Sequence, residues 1–134
     1  MIQPASIQVR FSDLDVLGHV NNNIYFSYFE LARVHYFREL LGIDWDWRHH
    51  GIVLVKNEAE YLKSVLISHT PEVYVFTENI GVKSFTLGYE LKVNGEIFVK
   101  GRSVQVCYNA ETQQTILVPD EMRSALVKLQ INKS

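Results

Sequence analysis

Apolar and polar positions alternate near the start of the chain, where Ile7, Val9 and Phe11 are separated by Gln8 and Arg10. A period of two predicts a half-buried strand over 7–11. From about Asn22 to Leu41 the period becomes helical. Asparagines at 21–23 supply N-cap chemistry, Gly42 supplies a left-handed stop, and Ile43 is placed for the hydrophobic contact that accompanies such a stop. Ile24, Tyr25, Tyr28, Phe29, Leu31, Ala32, Val34, Tyr36, Phe37, Leu40 and Leu41 cover most of this helix's circumference. A helix apolar nearly all round is expected to be buried. A tryptophan-bearing turn, DWDW (44–47), then leads into four strand-like runs at 52–62, 72–80, 84–93 and 96–108, the first of them starting from a glycine. Asn94-Gly95 between the last two predicts a two-residue type I′ hairpin. The tail PDEMRSALVKL (119–129) reads as a short helix, with proline near its start and acids in its first turn.

The order is one strand, one long apolar helix, an antiparallel meander and a short helix, which defines an α+β domain. No internal repeat, low-complexity tract or linker-like cluster interrupts it, so residues 1–134 are expected to form a single domain. One helix covers only one face of a five-stranded sheet. Apolar residues lie on both faces at VYVF (73–76) and IFV (97–99), so a second copy is expected to cover what is left, giving a homo-oligomer.

Composition narrows the function classes. With 134 residues and a hydrophobic fraction of 47%, the chain can build a real core without staples. A net charge of -2 with dispersed carriers offers no basic stripe to a phosphate backbone, so nucleic acid is not the expected partner. No run approaches the roughly 18 consecutive apolar residues of a membrane span. The single cysteine makes no internal disulfide, and the start MIQPASIQVRFSD lacks a secretion pattern, so the cytoplasm is the expected compartment. The sequon Asn132-Lys133-Ser134 is then a chance match.

The densest chemistry lies at DLDVLGHVNN (13–22), between the first strand and the long helix. Asp, Gly and Asn are also what a strand-to-helix connector needs, so a purely structural connector is a real alternative. A calcium loop starting at Asp13 would need oxygen ligands where Leu17 and Ile24 stand, which excludes it. For zinc, Asp15 and His19 lack a second histidine or cysteine at ligand spacing, since His49-His50 lies in a separate turn. Gly81-Val82-Lys83-Ser84 lacks both the upstream glycine and the Gly-Lys pair of a P-loop. Cys107 sits in the strand VQVCY with no adjacent base, as a structural thiol would.

A carboxylate just before a helix N-terminus faces free N–H groups and a partial positive charge. It is a weak base, suited to an activated substrate whose leaving group departs without a proton. A thioester fits, because a thiolate leaves more readily than an alkoxide or amide, and the helix N–H groups would hold the developing oxyanion.

FSDLDVLGHVNNNIYFSYFELAR (11–33), the Glu-Tyr-Leu of NEAEYLKSV (57–65), GVKSFTLGYEL (81–91), GEIFVKGRSVQVCYN (95–109) and VPDEMRSAL (118–126) together resemble the 4-hydroxybenzoyl-CoA thioesterase-like branch of hot-dog-fold acyl-CoA thioesterases. The resemblance spans nearly the whole chain. It implies a hot-dog fold, a five-stranded antiparallel sheet wrapped around one long buried helix, paired into dimers or dimers of dimers with the active site at the dimer interface. Carried over by position, the catalytic carboxylate is Asp15 and the oxyanion donor is the Asn22 backbone N–H, while Asp13 is a motif acid of structural character. The His-Val-Asn-Asn stretch follows members similar to long-chain fatty acyl thioesterases rather than aromatic-CoA members.

On the same resemblance His19 orients the carboxylate, the thioester or water, with a purely structural ring as the alternative. Gly18, Asn21, Tyr25, Lys83 and Ser84 are the expected substrate-binding positions. Lys83 and Ser84 fall where similar proteins meet CoA phosphates and pantetheine, against the alternative of a solvated lysine. Tyr25 and Tyr28 also read as pocket wall or core, and Glu30 and Arg33 as a buried or interface ion pair. The expected reaction is hydrolysis of an acyl-CoA, with fatty acyl groups favoured, to free acid and CoA. No metal or redox cofactor is expected, coenzyme A being part of the substrate. A hot-dog dehydratase or hydratase acting on 3-hydroxyacyl thioesters and a non-catalytic acyl-thioester-binding module are the competing readings. Release of a free thiol separates the hydrolase from both.

Overall fold

The computed structural model describes residues 2–130, so the sequon at 132–134 lies outside the described residues. In chain order the elements are β1 (Ala5–Ser6), a turn of 3-10 helix (Phe11–Asp13), α1 (Ile24–Leu41), β2 (Gly51–Tyr61), β3 (Glu72–Ile80), β4 (Ser84–Val93), β5 (Glu96–Asn109), β6 (Gln114–Thr115) and α2 (Asp120–Lys128). The sheet runs β1-β3-β4-β5-β2, with the short β6 paired to β5. The long strands match the periodicity of the sequence to within a residue at each end. Asn94 and Gly95 both adopt positive φ, 51° and 82°, as a type I′ hairpin demands.

Three expectations are corrected. The first strand is shorter than 7–11 and earlier: its paired residues are Ala5 and Ser6, opposite Val73 and Glu72, with one further bond from the Ile7 N–H to the Pro71 carbonyl at 2.9 Å. Ile7 and Val9 stay buried, but Phe11 is 85% exposed. The cause is local, because the Asp13 carboxylate takes the Arg10 N–H at 3.0 Å and winds the chain into the 3-10 turn that carries Phe11 outward. Gly42 does end α1 in the left-handed region (φ 84°), with its N–H on the Arg38 carbonyl, yet Ile43 is left 79% exposed. Nor is α1 buried all round in the single chain. Tyr25, Tyr28, Phe29, Ala32, Tyr36 and Phe37 form a buried stripe at helical spacing, whereas Leu31 and Val34 lie more than half exposed.

The chain comprises two compact units. The first takes the residues through Tyr36 together with Ala59–Val75 and Tyr89–Gly101. In it the Phe29 ring stacks on Tyr89 of β4 at 4.7 Å, and Gly101 is required because a Cβ there would come within 2.3 Å of the Phe29 ring. The second takes Phe37–Glu58, Phe76–Gly88 and the chain from Arg102 onward. Here Phe37 packs edge-on against Phe85 and Trp47, and α2 buries Met122, Ala125 and Leu126. No helix among the described residues is long and apolar enough to cross a membrane.

Candidate active site

The stretch 13–22 is a closed loop in the first unit, and Asp13 holds both of its ends. Its carboxylate, 1% exposed, accepts the Tyr28 hydroxyl at 2.6 Å, the Arg10 N–H at 3.0 Å and the Arg10 guanidinium at 3.2 Å. Its carbonyl accepts the Asn21 N–H at 2.8 Å. Burial pushes this carboxyl up, but the hydrogen bonds from Tyr28 and Arg10 outweigh it and hold the group below the usual carboxylate range. The same bond, added to burial, raises the Tyr28 phenol far above its ordinary value.

Between those anchors Leu14 bridges Val20, and the Asp15 N–H reaches the His19 carbonyl at 2.8 Å. The Gly18 N–H returns to the Asp15 carbonyl at 3.1 Å, a turn that needs the positive φ of Gly18 (78°). Val16 and Leu17 stand at the tip, fully and largely exposed. Asp15 itself is exposed, and its carboxylate is oriented from one side only: Oδ1 accepts the N–H groups of Leu17 at 2.9 Å and His19 at 3.1 Å. Oδ2 meets no donor among the described residues.

The loop then enters α1. The Ile24 N–H bonds the Asn21 carbonyl at 2.9 Å, and the Asn22 carbonyl accepts the Tyr61 hydroxyl at 3.0 Å. Among the described residues the Asn22 N–H has no acceptor. His19 is half-buried and bridges Leu66 through its backbone. Asp15, Gly18, His19, Asn21 and Asn22 are therefore gathered on one loop at the start of a helix.

Other expected positions fall differently. Tyr25 belongs to the core of the single chain rather than to a surface, being 2% exposed with its hydroxyl accepting the Val65 N–H at 3.0 Å. Burial pushes its phenol up, and the neighbouring Tyr61 and Asp15 act in the same sense against the Val65 bond. Within the single chain Glu30 and Arg33 do not pair: Arg33 donates to the Tyr89 hydroxyl at 3.0 Å, and Glu30 is exposed beside an open cleft of about 590 Å³ that includes Arg10 and His35.

Lys83 and Ser84 lie in the second unit, where β3 turns into β4. Backbone bonds fix that turn, with the Gly81 N–H on the Ser84 carbonyl at 2.7 Å and the Cys107 N–H on the Lys83 carbonyl at 2.8 Å. The Lys83 side chain is exposed. Cys107 is fully buried beside the Met122 sulfur, and burial pushes its thiol up to about 11, which leaves it unreactive at neutral pH. Among the described residues no group of three or more His, Cys, Asp or Glu side chains is arranged to hold a metal ion.

Tyr61 and the Tyr28–Asp13 bond are the contributions that pattern reading passed over. Their partners lie 39 and 15 residues apart, and no spacing rule joins positions at such separations.

A five-stranded path with one long helix packed on it, and an aspartate loop at that helix's start, is the hot-dog fold of thioester hydrolases. The chain belongs to the thioesterase-like superfamily, which matches residues 9–126, and it is a thioester hydrolase. It is 31% identical over 122 residues to YsmA of Bacillus subtilis, covering 90% of this chain and 82% of that one. To the long-chain acyl-CoA thioesterase FadM of Escherichia coli it is 25% identical over 126 residues, covering 92% and 96%. Among solved structures, a thioesterase of Thermus thermophilus complexed with coenzyme A and zinc superposes with a TM-score of 0.83 at 34% identity, over 96% of this chain and 93% of that one.

Proposed function

We propose that the protein hydrolyses an acyl-CoA thioester, with a fatty acyl group, to the free acid and CoA. The observation that carries this is the half-engaged carboxylate of Asp15. Two backbone N–H groups hold Oδ1, which leaves Oδ2 directed by a fixed frame and free to react. The unengaged Asn22 N–H at the start of α1 is the donor for the thioester oxygen as it becomes an oxyanion. Oδ2 either attacks the carbonyl carbon, giving a mixed anhydride that water then opens, or takes a proton from the water that attacks. On both routes the C–S bond breaks and CoA departs as thiolate, so no acid need stand beside the sulfur. His19, on the same loop, orients water or the thioester. Lys83 and Ser84 meet the CoA portion.

FadM's substrate class and the coenzyme A held by the Thermus thermophilus relative support the choice of acyl-CoA. No cofactor takes part, and the enzyme works in the cytoplasm. Val16, Leu17, Leu31 and Val34 are too apolar and too exposed for a lone chain, so the working form is a homo-oligomer, a dimer or a dimer of dimers.

Thiol release from a panel of acyl-CoAs by wild type and Asp15→Asn tests the proposal. The variant should lose at least about 10²-fold in kcat while keeping the wild-type oligomer, and an unchanged rate rejects the assignment. A single turnover in ¹⁸O-water separates the routes, because only the anhydride route leaves label in the aspartate.

A further inference from the structure

Tyr61 ends β2, and its side chain crosses to the helix start. Its hydroxyl donates to the Asn22 carbonyl at 3.0 Å, and its ring leans on Tyr25 at 5.4 Å between centroids. Tyr25 is in turn fixed by the Val65 N–H and by the edge of Tyr28. The phenol that reaches Asn22 is thus braced by a buried aromatic cluster, although Tyr61 itself is 42% exposed. A surface hydroxyl has water as a ready partner, so an oriented bond to one carbonyl calls for a consequence beyond satisfying a polar atom.

The consequence lies in the two peptide planes that flank the Asn22 Cα. The plane before it is held by the Ile24 N–H on the Asn21 carbonyl, with the Asn21 N–H fastened to Asp13. The plane after it lies ahead of α1, and the Tyr61 hydroxyl is the donor on its carbonyl. With both planes held, the direction of the Asn22 N–H is set before substrate arrives. A donor already aimed at the developing charge needs no reorganisation during the reaction.

We infer that Tyr61 is a positioning residue for thioester hydrolysis: its hydroxyl, bonded to the Asn22 carbonyl, fixes the backbone that presents the Asn22 N–H to the substrate oxygen. The inference rests on the Asn22 reading of the oxyanion donor given above. It makes Tyr61 act through Asn22 without touching the reacting atoms.

Tyr61→Phe removes the hydroxyl and keeps the ring on Tyr25. In steady-state thiol release it should lower kcat about ten- to a hundredfold with KM essentially unchanged, because the oxyanion bond strengthens only in the transition state. A second readout uses a non-hydrolysable ketone analogue of the acyl-CoA, ¹³C-labelled at the carbonyl. Bound to wild type, its resonance should move downfield as the N–H polarises the carbonyl, and in Tyr61→Phe that displacement should shrink. A displacement retained in full by Tyr61→Phe overturns the positioning role, whatever the rate. No displacement in wild type overturns the oxyanion reading beneath it, so the two failures are distinct.

Discussion

The Tyr28 hydroxyl donates a 2.6 Å hydrogen bond to the Asp13 carboxylate, and neither residue is more than 2% exposed. This bond joins the second turn of α1 to the loop that carries Asp15 two residues later. Tyr28→Phe leaves a buried carboxylate short of one donor and should destabilise the fold by about 1–3 kcal/mol. It should also alter the acid limb of stability. In the native protein the Asp13 carboxyl is held below its ordinary 3.8, so its contribution is present above that value and is lost as pH falls through the lower folded value. Removing the Tyr28 donor raises the folded value. The melting-temperature gap between wild type and Tyr28→Phe should then be widest at neutral pH and narrow as pH falls into the acid range, because wild type has more of Asp13's contribution to lose there.

At Gly18 the conformation, not the space, is limiting. A Cβ there meets nothing within 4 Å, but φ is +78°. Gly18→Ala should cost about 1–2 kcal/mol, seen as a melting temperature lower by roughly 2–8 °C. Gly18→Asn should cost less, since asparagine tolerates the left-handed region. Equal losses in the two variants would place the cause elsewhere.

His49 carries the most direct pH signal. Its Nε2 pairs with Glu111 and its Nδ1 with Asp46 at 2.8 Å, tying the segment after α1 to the turn between β5 and β6. The Glu111 bond first and the Asp46 bond second raise its pKa above the ordinary 6.5. For a raised group the stabilisation is complete below 6.5 and fades as pH rises through the folded value. His49→Gln should therefore melt below wild type at mildly acidic pH, and the two should converge on the alkaline side. Both tryptophans of the chain, Trp45 and Trp47, lie on this segment, so intrinsic fluorescence reports its release directly.

Much of the architecture was legible because it is decided locally. Strand periodicity, the Asn94-Gly95 hairpin and the Gly42 stop depend on steric preferences within a few residues, and these act in the same sense wherever the chain goes. The failures follow from the same rule. Phe11 continued the alternation of the first strand, yet the Asp13 carboxylate drew the Arg10 N–H out of the ladder and turned Phe11 to the surface. Leu31 and Val34 read as core, yet the apolar band of α1 is wider than the surface a single chain brings to it.

The sequence by itself determined that an aspartate, a glycine and asparagines would stand between a strand and a long apolar helix, because turn chemistry and helix capping are short-range effects. Only the tertiary structure decided what each of them does. Asp13 became the buried anchor and Asp15 the exposed carboxylate because Tyr28 reaches one and not the other. Arg33 found Tyr89, 56 residues away, instead of Glu30 nearby, and Tyr61 reached back 39 residues to the Asn22 carbonyl. Such pairings depend on how the strands bring distant side chains to the helix, and local propensity carries no information about that.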